Sequence, residues 1–367
     1  MPFSDFHGNR EIVRRIREML GRDRFPHSVI LSGPRGSGKY TLATMVARAM
    51  NCLEHATSDG LPDFCGKCSN CLRIGQSEDL GARLAEAVEA RDALKESEKK
   101  ETRLYIQTHP DVLVIPPDPP QMMVKVDQVR HVIDTIYFRP SEARERVFIF
   151  SDSAFMKEAA NSLLKVLEEP PEFATLFLVA RNPGELLPTI RSRSMILPLG
   201  SLSSAEIDTY LASERPEWSA GQRALVARLS EGAVGRARSF NLAEYARGRA
   251  NALTLLATAL GTGDHSELFK MTESYRPGAE GREKMDLLIR CLYSLLEDLL
   301  FLESGSQDLV RNTDILPELR RLAQTASFTW LVAATEALGN VERGIRRNLL
   351  RSLSLDAFEA TLEAPLK

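Results

Sequence analysis

The stretch Gly33-Pro34-Arg35-Gly36-Ser37-Gly38-Lys39 decides the fold of this 367-residue chain. An apolar run at residues 29–32 precedes it, and a helical pattern at 40–51 follows. A strand that enters a glycine-rich turn and leaves it as a helix directs backbone N–H groups towards phosphate. The sequence therefore predicts a phosphate-binding loop, in which Gly33, Gly36, Gly38 and Lys39 contact the phosphates.

Two positions that would hold magnesium are altered. Tyr40 stands where such a loop has a Ser or Thr hydroxyl, and Thr41 comes one residue too late. The run 147–150 ends in Ser151-Asp152, so Asp152 is the nearest acidic group at the position of a motor's magnesium-side residue. Together these changes predict a nucleotide-binding fold that does not turn nucleotide over. They leave open whether the loop is empty or holds ATP inertly.

Residues 1–200 alternate strand and helix patterns, which predicts an α/β domain with a five-stranded parallel sheet. Predicted strands cover 29–32, 111–115, 146–151, 175–180 and 194–199, and predicted helices cover 9–20, 40–51, 126–137 and 153–167. The charged stretch at about 76–104 indicates a helical hairpin or a partly disordered insertion. Strand patterns end near residue 204, so we expect a small helical domain at 201–245 and a larger one at 246–367.

Composition restricts the range of functions. The net charge is −3, so a nucleic-acid contact would need a local patch or a partner. No apolar run reaches the roughly 18 residues of a membrane span, and the N-terminal residues lack the pattern of a secretory signal. The expected location is cytoplasmic.

Four of the five cysteines crowd into one short segment: Cys52, Cys65, Cys68 and Cys71. Overlapping Cys-x-x-Cys steps can place thiolates around one ion, which predicts structural zinc. An iron–sulfur cluster uses the same ligands and is the less favoured alternative. The fifth, Cys291, lies in a helical apolar pattern and is expected to be a buried core residue.

An arginine motif closes the α/β region at Ser192-Arg193-Ser194. An arginine on a tight turn at a subunit face can reach a neighbour's nucleotide and stabilise charge on its γ-phosphate. On physical grounds alone, a surface ion-pair residue is the more common explanation.

Further motifs accompany these features in order along the chain. They are Pro26-His27, Thr108-His109-Pro110-Asp111-Val112, the run that ends in Leu167-Glu168-Glu169-Pro170, and Leu187-Pro188-Thr189-Ile190-Arg191-Ser192-Arg193. With the phosphate loop and the cysteines, they resemble the clamp-loader branch of the AAA+ P-loop NTPases. Within that branch the chain is similar to the delta-prime-type subunits of bacterial DNA polymerase III, which often have impaired nucleotide sites.

The resemblance implies a five-subunit ring with gamma/tau and delta subunits, which opens the sliding clamp and places it on primed DNA. The ring is part of the polymerase III holoenzyme, a nucleotidyltransferase complex. By the same resemblance, Arg193 acts in trans within the Ser192 motif, with Ser194 replacing the usual cysteine. Asn182 matches the position that senses the γ-phosphate, Arg236 matches the lid arginine, and the C-terminal domain is a collar.

The altered residues favour a stator over a motor. Motor subunits of the gamma/tau type keep a Thr after the lysine and an acidic pair at the strand end. The alternative is an active gamma/tau-like ATPase that uses Lys39, Thr41 and Asp152 in a shifted arrangement.

Overall fold

A computed structural model describes residues 2–22, 25–119, 121–275, 279–346 and 349–363. The chain forms two compact units, one of Met1–Tyr210 with Glu231–Arg238 and one of Leu211–Ser230 with Ser239–Lys367. The segment 201–245, predicted as a separate small domain, is thus divided between the two units. The division into three domains stays a prediction.

The strands and helices have the following bounds. The strands are β1 (Ser28–Ser32), β2 (Thr57–Ser58), β3 (Leu61–Pro62), β4 (Ile106–His109), β5 (Val112–Ile115), β6 (Arg146–Phe150), β7 (Ala174–Ala180) and β8 (Met195–Pro198). The helices up to the end of the sheet are α1 (Arg10–Gly21), α2 (Lys39–Asn51), α3 (Ser69–Gly75), α4 (Leu80–Asp92), α5 (Glu96–Glu101), α6 (Val126–Ile136), α7 (Lys157–Glu168) and α8 (Pro188–Arg191). The later helices are α9 (Ser204–Glu214), α10 (Ala220–Leu229), α11 (Val234–Arg238), α12 (Leu242–Ala259), α13 (His265–Thr272), α14 (Ala279–Glu303), α15 (Leu316–Ala323), α16 (Phe328–Arg346) and α17 (Arg351–Glu363).

The main sheet has the order β4-β5-β6-β7-β1-β8. The strands β5, β6, β7, β1 and β8 are parallel, which confirms the five predicted strands and the α/β class with a parallel sheet. The strand β4 was not predicted, and it pairs antiparallel with β5 at the sheet edge. Because β1 is bonded on both sides, the loop that follows it leaves the sheet from a fixed position.

Helices cover both faces of this sheet. Val29 and Leu31 of β1 belong to the core beneath α2, whereas Ile30 belongs to the core beneath α6 and α7. Each such side chain contributes roughly 1.5–3 kcal/mol on burial. Adjacent residues of β1 thus anchor opposite layers, which fixes where the phosphate loop begins.

The helix α7 begins at Lys157, four residues after the predicted start at 153. The preceding residues extend the sheet region instead, because Val124 N–H donates to the Ala154 carbonyl at 2.8 Å and Met156 N–H donates to the Val124 carbonyl at 3.0 Å. The segment predicted as an insertion contains two helices, α4 and α5. Arg91 at the end of α4 pairs with the buried Asp118 at 2.5 Å.

The second unit is helical where the structure describes it. Its core lies between α12, α14, α16 and α17. Cys291 is fully buried there, and burial raises the pKa of its thiol to about 12, which confirms its predicted core position. Among the described helices, none has the length and apolar character needed to span a bilayer.

Candidate functional site

The phosphate loop joins β1 to α2, as predicted. Gly33, Gly36 and Gly38 have φ angles of 144°, 85° and 85°, values at which a side chain would be strained. A Cβ at Gly33 would also lie 2.3 Å from the carbonyl oxygen of Leu199. The Gly33 N–H donates to the Arg181 carbonyl at 3.1 Å. The backbone path itself therefore requires these glycines.

Lys39 folds back on the loop. Its Nζ donates to the carbonyls of Gly33 at 2.7 Å and Pro34 at 2.5 Å. Burial lowers the pKa of Lys39 to about 8, against the attraction of Asp152 and with the added repulsion of Arg181. The ammonium is thus already bonded to the loop, and a phosphate would have to replace these carbonyls.

Tyr40 is directed to a structural partner. Its hydroxyl donates to the Ser77 carbonyl at 2.6 Å, and burial raises the pKa of the phenol. About two turns further along α2, Arg48 pairs with Glu78 at 2.6 Å. Both contacts anchor α2 to the segment before α4. The side chain at the expected magnesium position therefore donates its hydroxyl proton to a backbone carbonyl of the same domain.

Asp152 and Asn182 lie at the same edge of the sheet as the loop, because both follow parallel strands. Asp152 Oδ1 accepts from the Ala154 N–H at 3.2 Å, and Asn182 Oδ1 accepts from the Gly184 N–H at 2.8 Å. Thr41 is half-buried beside Tyr40 on α2. The structure thus brings the predicted residues to one edge of the sheet. One side-chain oxygen of Asp152 and one of Asn182 accept backbone N–H bonds within local turns.

Arg236 lies over the loop. The N–H of the preceding Gly235 donates to the Gly36 carbonyl at 2.8 Å, and a Cβ at Gly36 would lie 3.2 Å from Arg236 Cγ. The guanidinium pairs with Glu231 at 2.5 Å. The aliphatic part of Arg236 therefore touches the phosphate loop while its charge is held at the surface.

The four cysteines converge, as predicted. The Sγ atoms of Cys52, Cys65, Cys68 and Cys71 all lie within 4.8 Å of one another. Four sulfurs bound to one zinc at about 2.3 Å are about 3.8 Å apart, so the cluster has a suitable size. The N–H of Cys65 donates to Cys52 Sγ and that of Cys68 to Cys65 Sγ, both at 3.3 Å. Such second bonds fix the orientation of metal-binding sulfurs.

The thiols of the cluster differ in the direction of their pKa shifts. Burial raises the pKa of the Cys71 thiol. At Cys68 burial acts in the same direction, but the backbone N–H groups of Leu53 and Cys71 prevail and lower its pKa to about 7. A zinc ion would take up all four as thiolates and release their protons. The residues therefore fit zinc, with Cys52 and Cys71 buried.

Arg193 lies between α8 and β8. Because β8 is parallel to β1, with Val29 opposite Met195, Arg193 stands before the amino ends of these strands. The phosphate loop leaves the carboxyl end of β1, a strand of 5 residues. At about 3.3 Å per residue, the length of β1 separates Arg193 from the phosphate loop by roughly 15 Å. Arg193 therefore cannot serve the phosphate loop of its own chain.

Comparison of the sequence with known protein families shows the family of this chain. The family model described as DNA polymerase III, delta subunit, matches residues 8–203, more than half of the sequence. The chain belongs to the DNA polymerase III delta-subunit family.

The chain is similar in sequence to several DNA polymerase III subunits. It is 26% identical over 211 residues to the DNA polymerase III subunit tau/gamma of Haemophilus influenzae, covering 57% of this chain and 25% of that protein. It is 23% identical over 313 residues to subunit delta′ of Bacillus subtilis, covering 85% and 83%. A solved gamma-subunit-related protein of Thermotoga maritima aligns with a TM-score of 0.43 and 18% identity, covering 95% of this chain and 98% of that one. The chain spans about a quarter to a half of the tau and gamma relatives it matches.

Three residues of this family member's site had no predicted role. The ring of Phe6 lies 2.9 Å from a Cβ placed at Gly38, so it covers the start of α2. Ser77 accepts the Tyr40 hydroxyl, and Glu168 pairs with Arg193 at 2.9 Å. Only Glu168 belonged to a motif, and nothing in that motif assigned it a partner.

Proposed function

We propose that this chain is a delta-prime-type subunit of the DNA polymerase III clamp loader. In a ring of five subunits with gamma/tau and delta, it would help to load the sliding clamp on primed DNA. It would act as a stator and offer Arg193 to the ATP of a gamma/tau neighbour, without turnover of its own. The observation that carries this proposal is that Arg193 lies at the sheet edge opposite its own phosphate loop.

The electrostatics support a role in trans. The Arg193 side chain is 37% exposed, and the planar guanidinium of an arginine matches the geometry of phosphate oxygens. At a neighbour's site such a group would stabilise charge that develops on the transferred phosphoryl group. The substituted loop of this chain supports the absence of turnover, because Tyr40 donates its hydroxyl to Ser77.

The decisive experiment is Arg193→Ala in the loader reconstituted from full-length subunits. Loss of such an arginine lowers turnover at one site by about 10³-fold or more, and the other sites of the ring dilute the total effect. Arg130→Ala is the control, because Arg130 is also an exposed arginine in an ion pair, 3.5 Å from Asp127. Equal DNA-stimulated ATPase in the two variants would overturn the proposal.

An active gamma/tau-like ATPase is the second candidate. One observation favours it: the negative charge of Asp152 attracts the Lys39 ammonium and partly offsets the lowering of its pKa by burial. Equilibrium ATP binding and phosphate release by the isolated chain, with and without magnesium, separate the two functions. Magnesium-dependent binding with hydrolysis would establish the motor, and its absence would support the stator.

The cysteine cluster, the other nucleotide-site residues and the helical segments have roles in the same proposed subunit. Structural zinc would be held by Cys52, Cys65, Cys68 and Cys71. Asn182 and Arg236 would be the remnants of a γ-phosphate sensor and a lid contact, with residues 201–245 as the lid. Residues 246–367 would form the collar that holds the ring together. A protein in this assembly would work in the cytoplasm.

A further inference from the structure

Arg193 already has an anionic partner in its own chain. Its Nη2 lies 2.9 Å from Glu168 Oε1, and its Nη1 donates to the Thr189 carbonyl at 3.1 Å. We propose that Glu168 is a positioning residue, which holds the Arg193 guanidinium in the unassembled subunit and yields it to a neighbour's triphosphate on assembly. This inference rests on the proposed function.

The surroundings of the guanidinium favour such a hold. Glu168 is the last residue of α7, where the carbonyls of the final turn add partial negative charge. The Ser192 hydroxyl lies 3.4 Å from the same Nη1 atom that donates to Thr189. The guanidinium is therefore oriented by acceptors from α7 and α8 before any neighbour is present.

The hold is also weak enough to be exchanged. The side chains of Arg193 and Glu168 are 37% and 53% exposed, and ion pairs of this exposure change an equilibrium by no more than about fivefold. A triphosphate carries several negative charges and can accept two parallel N–H bonds from an arginine, whereas Glu168 carries one charge. A neighbour's nucleotide would thus displace Glu168.

Release requires only the side chain to move. The backbone here is fixed, because the Ser194 hydroxyl donates to the Ile190 carbonyl at 2.9 Å and lies 2.8 Å from the Ser28 hydroxyl of β1. A cavity of about 280 Å³ adjoins Arg193, between Pro170 and the start of β1. At about 30 Å³ per water molecule it has room for several waters or a side chain. The guanidinium can therefore change partners while β8 keeps its register.

The chain provides a matched control in the next residue. Glu169 is exposed, and its carbonyl accepts from the Tyr137 hydroxyl at 3.4 Å. Within the described residues its carboxylate makes no ion pair. Glu169→Gln therefore removes the same charge as Glu168→Gln at nearly the same place, without a contact to Arg193.

The first measurement uses the isolated full-length chain. The rate at which phenylglyoxal modifies Arg193 is followed by mass spectrometry in the wild type, Glu168→Gln and Glu169→Gln. We expect modification to quicken by about two- to fivefold in Glu168→Gln only, the range that an exposed ion pair supplies. Equal rates in all three proteins would overturn the proposal.

The second measurement uses the reconstituted loader. In Glu168→Gln, the concentration of this subunit that gives half-maximal ATPase stimulation should fall by about two- to fivefold, with the maximal rate unchanged. A merely structural role would lower the maximal rate instead, and that result would contradict the proposal. If Arg193→Ala leaves the ATPase unchanged, the proposed function itself fails. If Arg193→Ala lowers it while Glu168→Gln changes neither readout, only the role of Glu168 fails.

Discussion

The hydroxyl of Tyr40 and the carbonyl of Ser77 are 2.6 Å apart, and this bond joins the start of α2 to a buried residue 37 positions later in the chain. A residue at the usual magnesium-ligand position has thereby become part of the packing of the domain. The loop and the segment that follows the cysteine cluster are consequently one structural block.

Tyr40→Phe should loosen this block. It leaves the carbonyl of Ser77, a residue that is 1% exposed, without its donor, at a cost of about 1–2 kcal/mol. Amide hydrogen exchange in α2, followed by mass spectrometry, should quicken accordingly. Tyr137→Phe is the control, because that hydroxyl is exposed and its bond is 3.4 Å long. Unchanged exchange in Tyr40→Phe would show that the bond does not stabilise the loop.

Loss of one cysteine ligand should abolish metal binding. Cys68→Ser removes a thiol whose pKa is about 7 and whose sulfur accepts from the Cys71 N–H at 3.5 Å. Because structural zinc contributes on the order of 10 kcal/mol to a small site, we expect residues 52–71 to lose protection from hydrogen exchange. Metal analysis should find no zinc in this variant. Cys291→Ala should retain it, since Cys291 lies in the second unit. Iron in the purified wild type would favour the cluster alternative.

Asp111 should make stability depend on pH. Its carboxylate accepts N–H bonds from Ser141, Glu142 and Ala143 at 2.8–2.9 Å, and these prevail over burial to lower its pKa. A lowered pKa gives stability that is present above the unfolded value of about 4 and is lost as pH falls through the folded value. Asp111→Asn should therefore cost about 2–3 kcal/mol at pH 7 and progressively less below pH 4.

Urea unfolding at pH 7, 5 and 3.5 measures this dependence. Asp134→Asn is the matched control, because Asp134 is exposed on α6 and should change stability by less than about 0.5 kcal/mol. A cost of Asp111→Asn that stays constant down to pH 3.5 would contradict the assignment.

Two glycine-to-alanine changes should have opposite signs. A Cβ at Gly235 would lie 2.9 Å from the Gly36 carbonyl oxygen, so Gly235→Ala must push α11 off the phosphate loop at a cost of about 1–3 kcal/mol. In Gly339→Ala the new methyl group meets nothing nearer than 3.9 Å. Because Gly339 lies inside α16, this change should stabilise by about 0.5–1 kcal/mol. Thermal unfolding of both variants checks the signs, and a neutral Gly235→Ala would show that the contact is dispensable.

The sequence predicted the centre of the fold because its signals there are local. The strand β1, the glycines and α2 follow one another directly, and β5 to β7 are apolar nearly throughout. The start of α7 was misplaced because residues 154–156 bond to Val124, a partner that helical periodicity cannot reveal. The strand β4 was missed because buried Ile106 and His109 stand at its two ends with two more exposed residues between them, which is neither the alternation nor the apolar run that predicts a strand.

The candidate site was predictable to the same extent. The spacing of the cysteines was enough to place their sulfurs together, since the Cys-x-x-Cys turns bring neighbours into contact. The partners of Tyr40 and Arg193 were not predictable. Ser77 and Glu168 reach them only after α2 and α7 pack on opposite faces of the sheet, and no sequence spacing encodes that meeting.

The shared direction of β1 and β8 also gives the domain polarity. Copies that join edge to edge through the phosphate loop and the arginine must associate head to tail, since the two edges are unlike. A chain whose phosphate loop is inactive but whose arginine is present can complete the shared ATP site of one neighbour. It cannot provide the nucleotide-binding half of such a site itself. On the proposed function, such a chain is the last subunit in a row of ATP-hydrolysing interfaces. The direction of β1 and β8 determines at which end of the row it lies.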